Sequence, residues 1–292
     1  MSVDSRLLRP TAPGRRAVDR TIFGLCILAG ILALAPLGAV IYFLIVDGLS
    51  AWSPAFLVEL PGPITTPGGG ALHAIIGTLM MTGLSLVIAT PMGLAVAILI
   101  VEERTSRIAP LVRTAVDLLA GVPSIVVGIF VYTLVVLSTR HFSGFAGSVA
   151  LAIIMLPIIA RTSEEMLKII PRSLREGTMA LGMARWRALT FVFIPTIASG
   201  ILTGIALAVS RAIGETAPLL FTALGSNFVQ TDFSEPMNAL PLYIFQNAIN
   251  IGFPAAKQRA WAAALTLVVI VLLFNLIGRW LASRATVRGA RS

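Results

Sequence analysis

Read for polarity alone, the chain is a succession of long apolar blocks separated by short polar or glycine- and proline-rich breaks. The blocks run from Ile22 to Val46, Leu72 to Val101, about Ala115 to Leu137, Val149 to about Ile159, just after Pro195 to about Leu224, and Ala260 to Leu281. They are apolar on every face, unlike the one-sided stripe of a surface helix. A helix of roughly 20 such residues, rising about 1.5 Å each, crosses the ~30 Å of bilayer hydrocarbon. Outer-membrane strands would instead read as alternating segments of about 10 residues, and no such alternation runs through these blocks. The pattern predicts an all-α, polytopic membrane protein with six transmembrane helices.

Composition agrees. Hydrophobic residues make up 57% and charged residues 12% of the 292, outside the range of soluble globular chains. The expected divisions are an N-terminal segment 1–21, a first span 22–46, a loop 47–71, a membrane core 72–283 and a tail 284–292. The basic "RLLRPTAPGRRAVDR" before the first span resembles a signal-peptide leader, but the apolar stretch is too long and lacks a cleavage pattern, so it reads as a retained helix. Short cytoplasmic connections keep Lys and Arg. With both termini inside, 18 of the 22 cations lie inside, and outside are only Arg140, Lys257 and Arg259, with Arg211 left in the membrane. The net charge of +9 is thus a topology signal and not a nucleic-acid footprint.

Several chemistries are excluded. Cys26 is the single cysteine, so no intrachain disulfide or multi-cysteine metal site exists, and His73 and His141 read as isolated interfacial residues. A phosphate-binding P-loop needs Gly-Lys-Ser/Thr, whereas Lys168 follows Leu167 and Lys257 follows Ala256. The chain therefore binds no ATP in that way, and nucleotide energy would have to come from another subunit. The spans carry no nucleophile-base or metal constellation of an enzyme.

Three stretches carry the candidate chemistry. In "SRAIGETAPLLF", Arg211 and Glu215 stand four apart within an apolar block, placing both on one face of the fifth helix within mutual reach. An unpaired charge at that depth costs at least about 2.5–3.5 kcal/mol, so the pair should face a bundle interior or a wet cavity. It is either a packing ion pair, with Gly200, Gly204 and Gly214 allowing close approach, or part of an anion path. In the path, the planar guanidinium of Arg211 suits phosphate, Glu215 holds it and limits affinity, and Ser210 and Thr216 add hydroxyl donors. In "GVPSIVVGIF", Pro123 with Gly121 and Gly128 makes a deformable segment of the third span, a static kink or a moving gate, and Asp117 before it partners a helix dipole or nearby arginines. The connection from about 168 to 195 has helix-forming composition, predicting a short amphipathic rod with Met179, Met183 and Trp186 on one side and Arg175, Arg185 and Arg187 elsewhere.

That connection resembles the EAA loop of ABC-importer permeases. Glu176, Gly177 and Thr178 occupy the triplet, Gly182 the glycine position, and Val192, Ile194 and Pro195 the closing positions; Gly177 and Thr178 replace two alanines. In that family the loop forms a coupling helix docked in a groove of a cytoplasmic ATPase. "RAIGETAPLLFTALGSNF", "LLAGVPSIVVGIFVY", "GGGALHAIIGTLMMTGLSLVIATPMGLAVAILIVEE" and "NALPLYIFQNAI" are similar to the PstA-type permeases of bacterial phosphate ABC importers, more than to their PstC-type partners. The likeness covers about Gly68 to Asn275. It implies the type I ABC importer permease fold in the bacterial inner membrane, with 72–283 as the permease core. It also implies a PstC-like partner permease, a PstB-like ATPase dimer that binds ATP and Mg, and a PstS-like phosphate-binding protein. A permease for molybdate or sulfate remains an alternative. So does a secondary anion transporter or channel, although the internal duplication such folds often show is not evident.

Overall fold

Hydrocarbon offers the backbone no hydrogen-bond partner, so a spanning segment must satisfy its N–H and C=O groups within itself, and helices result. The computed structural model of the chain describes residues 13–103 and 106–289. Arg6, Arg9, Arg104 and Arg291 of the topology count lie outside them, as do residues 1–12 and 290–292 of the two terminal segments. The helices are α1 (Pro13–Ala51), α2 (Pro54–Val58), α3 (Leu72–Glu102), α4 (Ile108–Gly121) and α5 (Ser124–Thr139). They continue with α6 (Gly144–Ile169), α7 (Arg172–Ala180), α8 (Arg185–Ile213), α9 (Ala217–Thr222), α10 (Leu240–Ala248) and α11 (Pro254–Gly289). Among the described residues five helices are long and apolar enough to span, or six if the bent pair α4 and α5 forms one span.

Two expectations change. The fifth span is not one helix to Leu224: α8 stops at Ile213, and α9 starts after a break. The connection to it is not one rod either, because α7 ends at Ala180 and α8 begins at Arg185. There Gly182 takes φ +65°, Gly182 N–H donates to the Met179 carbonyl at 2.9 Å, and Met183 N–H donates to the Thr178 carbonyl at 3.1 Å. This pair of bonds closes a helix end on a left-handed residue, a conformation that favours glycine. Beyond the turn Met183 is half-buried and packs on the core at this end, whereas Met179 and Trp186 are exposed.

α6 forms the centre. Leu151, Met155 and Ile159 pack between Met81 and Ala89 of α3 and Ala208, Val209 and Ala212 of α8. The approach of α8 is close: a Cβ on Gly204 would stand 2.1 Å from Thr162 Oγ1 of α6. Gly214 has no such role, since its Cβ would meet only the Arg211 carbonyl, at 3.6 Å; it ends α8 instead. α1 touches α11 near its C-terminal end, where Phe43 and Trp261 rings lie 6.3 Å apart and Trp52 Nε1 donates to Thr266 Oγ1 at 3.2 Å.

The ends of the bundle differ. Where α3 and α6 finish, Arg and Lys accumulate; we call this the basic end. The opposite, loop end is organised by Arg259, which is buried. Its Nε donates to the Gly68 carbonyl at 2.8 Å, and its terminal nitrogens donate to the carbonyls of Gly62, Pro63 and Thr66 at 2.7 Å each. Beside it Tyr243 donates to the Gly70 carbonyl at 3.2 Å, and burial pushes the phenol above its ordinary pKa, keeping this donor protonated. Arg259→Met removes the donor to four carbonyls and should destabilise the chain by about 3 kcal/mol, with Arg259→Lys recovering only part. Thermal unfolding of the purified protein, with proteolysis of the 59–71 loop, measures it.

Candidate functional site

Two broken helices meet at Arg211. α4 and α5 are bent by 106° at the break after Gly121, where Pro123 at ψ 135° leads into α5. A proline offers no N–H to continue a helix but fits the first turn of a new one, so Gly followed by X-Pro ends one helix and starts the next. The same punctuation recurs at Gly214–Glu215–Thr216, with Pro218 in the first turn of α9. The breaks are pressed together: Gly128 of α5 lies so near Pro218 that a Cβ on it would stand 2.7 Å from Pro218 Cα. By contrast a Cβ on Gly121 meets nothing within 4 Å. Beyond Gly128 the turns widen over Tyr132–Val136, and Thr133 and Thr139 return hydroxyl bonds of 2.9 Å to the carbonyls of Ile129 and Val135.

Arg211 occupies the last turn of α8, where a cation complements the negative end of the helix dipole. Its Nε stands 3.7 Å from Glu215 Oε1, an ion pair longer than a hydrogen bond. The expected pairing thus forms, but not along one helix face: Glu215 lies past the helix end, in the break. The Arg211 side chain is 55% exposed and that of Glu215 17%. Ser210 is spent locally, its hydroxyl donating to the Ala206 carbonyl at 2.8 Å, so its proton is not offered to an anion. Thr216 is half-buried in the break immediately before α9.

Arg211 also lines a cavity of about 30 Å³ with Leu119, Val122 and Ser124 from the α4–α5 break and Pro157 from α6. Residues flanking the gate candidates, Ala120, Val122 and Ser124, thus share a cavity with Arg211, whereas Gly121, Pro123 and Gly128 themselves do not line it.

At the basic end, α7 presents Glu176 and Gly177 to the outside, with Met179 and Leu181 exposed by 62% and 82%. Thr178 is buried and donates to the Arg175 carbonyl at 2.8 Å, so it seats α7 on its own chain and is not available to a docking partner. Pro195 is exposed just after a wide turn at Leu189–Phe193, which accommodates its missing N–H. The sequence reading missed Arg175, the joint of this region. It donates to Glu102 Oε1 of α3 at 2.5 Å and to the Leu167 carbonyl of α6 at 2.9 Å, and its guanidinium lies 5.0 Å from the ring centre of Phe193 in α8. Asp117 pairs with Arg161 of α6 and lies near the C-terminal end of α4, where it cannot serve a helix N-terminus. The fully buried Glu164 was also missed; its neighbourhood of three cations, Arg113, Arg161 and Lys168, was the available signal.

A family described as binding-protein-dependent transport system inner membrane component matches residues 89–287, a range that holds both breaks, Arg211 and α7. The phosphate transport system permease protein PstA of Yersinia pestis is 43% identical over 241 residues, 82% of this chain and 81% of that protein. The chain belongs to this family, on its PstA branch. The PstA of Pasteurella multocida strain Pm70 is 39% identical over 267 residues, 91% of this chain and 94% of that one. The fold is also that of the permease in a bacterial alginate ABC transporter solved with its alginate-bound periplasmic protein: TM-score 0.67 at 17% identity, covering 92% of this chain and 96% of that one. A PstA-family chain is a multi-pass inner-membrane component of an ABC importer, and the expected type I permease fold is the one observed.

The two glycines of the third span give a discriminating pair. Gly128→Ala must push α5 from Pro218 and should lower uptake by roughly 10-fold or more, while Gly121→Ala should stay within about twofold. Uptake per amount of assembled complex distinguishes them.

Proposed function

We propose that this chain is one of the two permease subunits of an ATP-driven phosphate importer and performs no catalysis itself. The observation that carries the proposal is Arg211, a guanidinium beside two helix breaks and largely uncovered by its own chain. Bare hydrocarbon does not tolerate that charge, nor backbone broken at that depth; a water-filled route between two chains tolerates both. A PstC-like permease covers the open side of Arg211 and completes the route. Arg211 offers bidentate donors to phosphate, Glu215 keeps the guanidinium oriented and its affinity moderate, and Thr216 lies in the adjoining break. The segments at Gly121, Pro123 and Gly128 open and shut the route.

Both termini and α7 face the cytoplasm in this scheme, in keeping with the cations gathered at the basic end. α7 inserts Glu176, Gly177 and the exposed Met179 into a PstB-like ATPase dimer, which binds the ATP and Mg. Gly182 sets the turn behind it, Pro195 starts the straight part of α8, and Arg175 passes the motion to α3, α6 and α8. A PstS-like protein delivers phosphate at the loop end. The names of the curated relatives favour phosphate over molybdate or sulfate.

Labelled-phosphate uptake by the reconstituted complex, with competing oxyanions, tests this. Arg211→Gln should leave assembly and ATP hydrolysis in place and lower uptake by roughly 100-fold, with Arg211→Lys intermediate. Normal uptake by Arg211→Gln in an assembled complex overturns the proposed route. Glu176→Lys should uncouple hydrolysis from uptake or release the ATPase, and Arg175→Met should lower uptake per ATP hydrolysed while the ATPase stays bound.

A further inference from the structure

α4 is held to the bundle in an unusual way. Its buried apolar residues are Ala109 and Val116, both small, while Ile108, Leu111 and Leu118 are exposed. Between the two buried positions, on the same helical face at spacings of four and three, stands Arg113. It reaches Glu164 of α6, Nη2 to Oε1 at 2.6 Å, and the Glu164 side chain is 1% exposed. The same carboxylate takes Lys168 Nζ at 2.6 Å and Arg161 Nη1 at 3.3 Å, and Arg161 extends to Asp117, again on α4. Two ion pairs thus cross from α4 to α6, one of them centred on a carboxylate with no access to water.

Ion pairs of this kind are poor sources of net stability, because desolvation offsets the attraction; their best-attested use is to fix the register of one element on another. Here the register has an immediate consequence. α4 continues into Leu119 and Val122, which form the wall of the cavity beneath Arg211. Apolar packing by Ala109 and Val116 alone would leave the slide of α4 along α6 weakly defined.

We propose that Glu164 is a positioning residue: with Asp117 it latches α4 onto α6 and thereby sets the inner wall of the passage at Arg211. The latch rests on the proposed route only for its effect on transport; its effect on the wall is separate. When α4 slides or lifts, Arg113 and Arg161 exchange Glu164 and Asp117 for water or for other acceptors, so the pairs select one position of α4 on α6 more than they add net stability.

The assembled complex tests this, with Cys26→Ser to remove this chain's single native thiol, Ala120→Cys to report on the wall, and labelling read on this chain alone after its separation from its partners. Glu164→Gln keeps the volume and removes the charge; Asp117→Asn does the same at an exposed position. Both should change the rate of maleimide labelling at position 120 by at least about threefold, and, without the reporter, lower phosphate uptake per ATP hydrolysed by about tenfold in complexes of normal amount. Labelling rates and uptake ratios within a factor of about two of the parent in both variants overturn the latch, as does lost uptake with unchanged labelling. Should Glu164→Gln fail to assemble, Asp117→Asn decides alone by the same criteria. Altered labelling in the latch variants together with normal uptake by Arg211→Gln would sink the route and leave the latch standing.

Discussion

A peptide group in hydrocarbon must find its partner inside the protein, and this constraint decides where the chain can interrupt its helices. α3, α6 and α11 run unbroken through the bundle. Both deep interruptions, after Gly121 and after Ile213, are instead gathered into one place, with Gly128 against Pro218 and Arg211 alongside. Irregular backbone and a guanidinium have the same need, a polar surrounding at membrane depth, so each makes the other tolerable. Scattered along separate lipid-facing surfaces, either would be a defect; collected together, they share one polar surrounding.

The charges at the basic end serve several purposes at once. By number they are the residues that the positive-inside rule uses to set orientation, and by position they tie the elements of the bundle together. Arg175 joins α7 to α3, α6 and α8 through an ion pair, a carbonyl and an aromatic face, and Glu164 collects cations from α4 and α6. Arg259 at the loop end has a different task, since carbonyls surround its guanidinium and it organises loop backbone. Composition treats these arginines alike, and their surroundings separate them.

How much of this was legible from the residues depended on how local the cause was. Apolar blocks longer than a bilayer announce helices, and the spacing from Glu176 through Gly182 to Pro195 announced the connection at the basic end. The end of α8 was missed although its signal is present: Gly214 closes a helix and Pro218 opens one, as Gly121 and Pro123 do in the third span. A run of apolar residues on both sides masked the punctuation, and four-residue spacing between Arg211 and Glu215 suggested a continuous helix. The pairing survived because a long arginine side chain reaches back across the break. Arg175 and Arg259 were illegible for another reason: their partners lie tens to hundreds of positions away or are backbone carbonyls, and nothing near them in the chain names such partners. Glu164 had a local signal in Arg161 and Lys168, one turn away on either side, but its burial depends on Arg113 of α4 and leaves no local trace. Thr178 belongs to the recognised triplet, but its place in that spacing does not tell which way it points; its hydroxyl is buried against its own helix.

The contact of Gly204 with Thr162 bears on how such a machine deforms. With backbone against side chain and no slack between them, α6 and α8 form a stiff strut, and large core residues on α3 fill the remaining space. Stress arriving from the basic end is therefore not absorbed within the strut. It is passed along the strut to the backbone breaks after Gly121 and Ile213, which are the compliant points of the bundle.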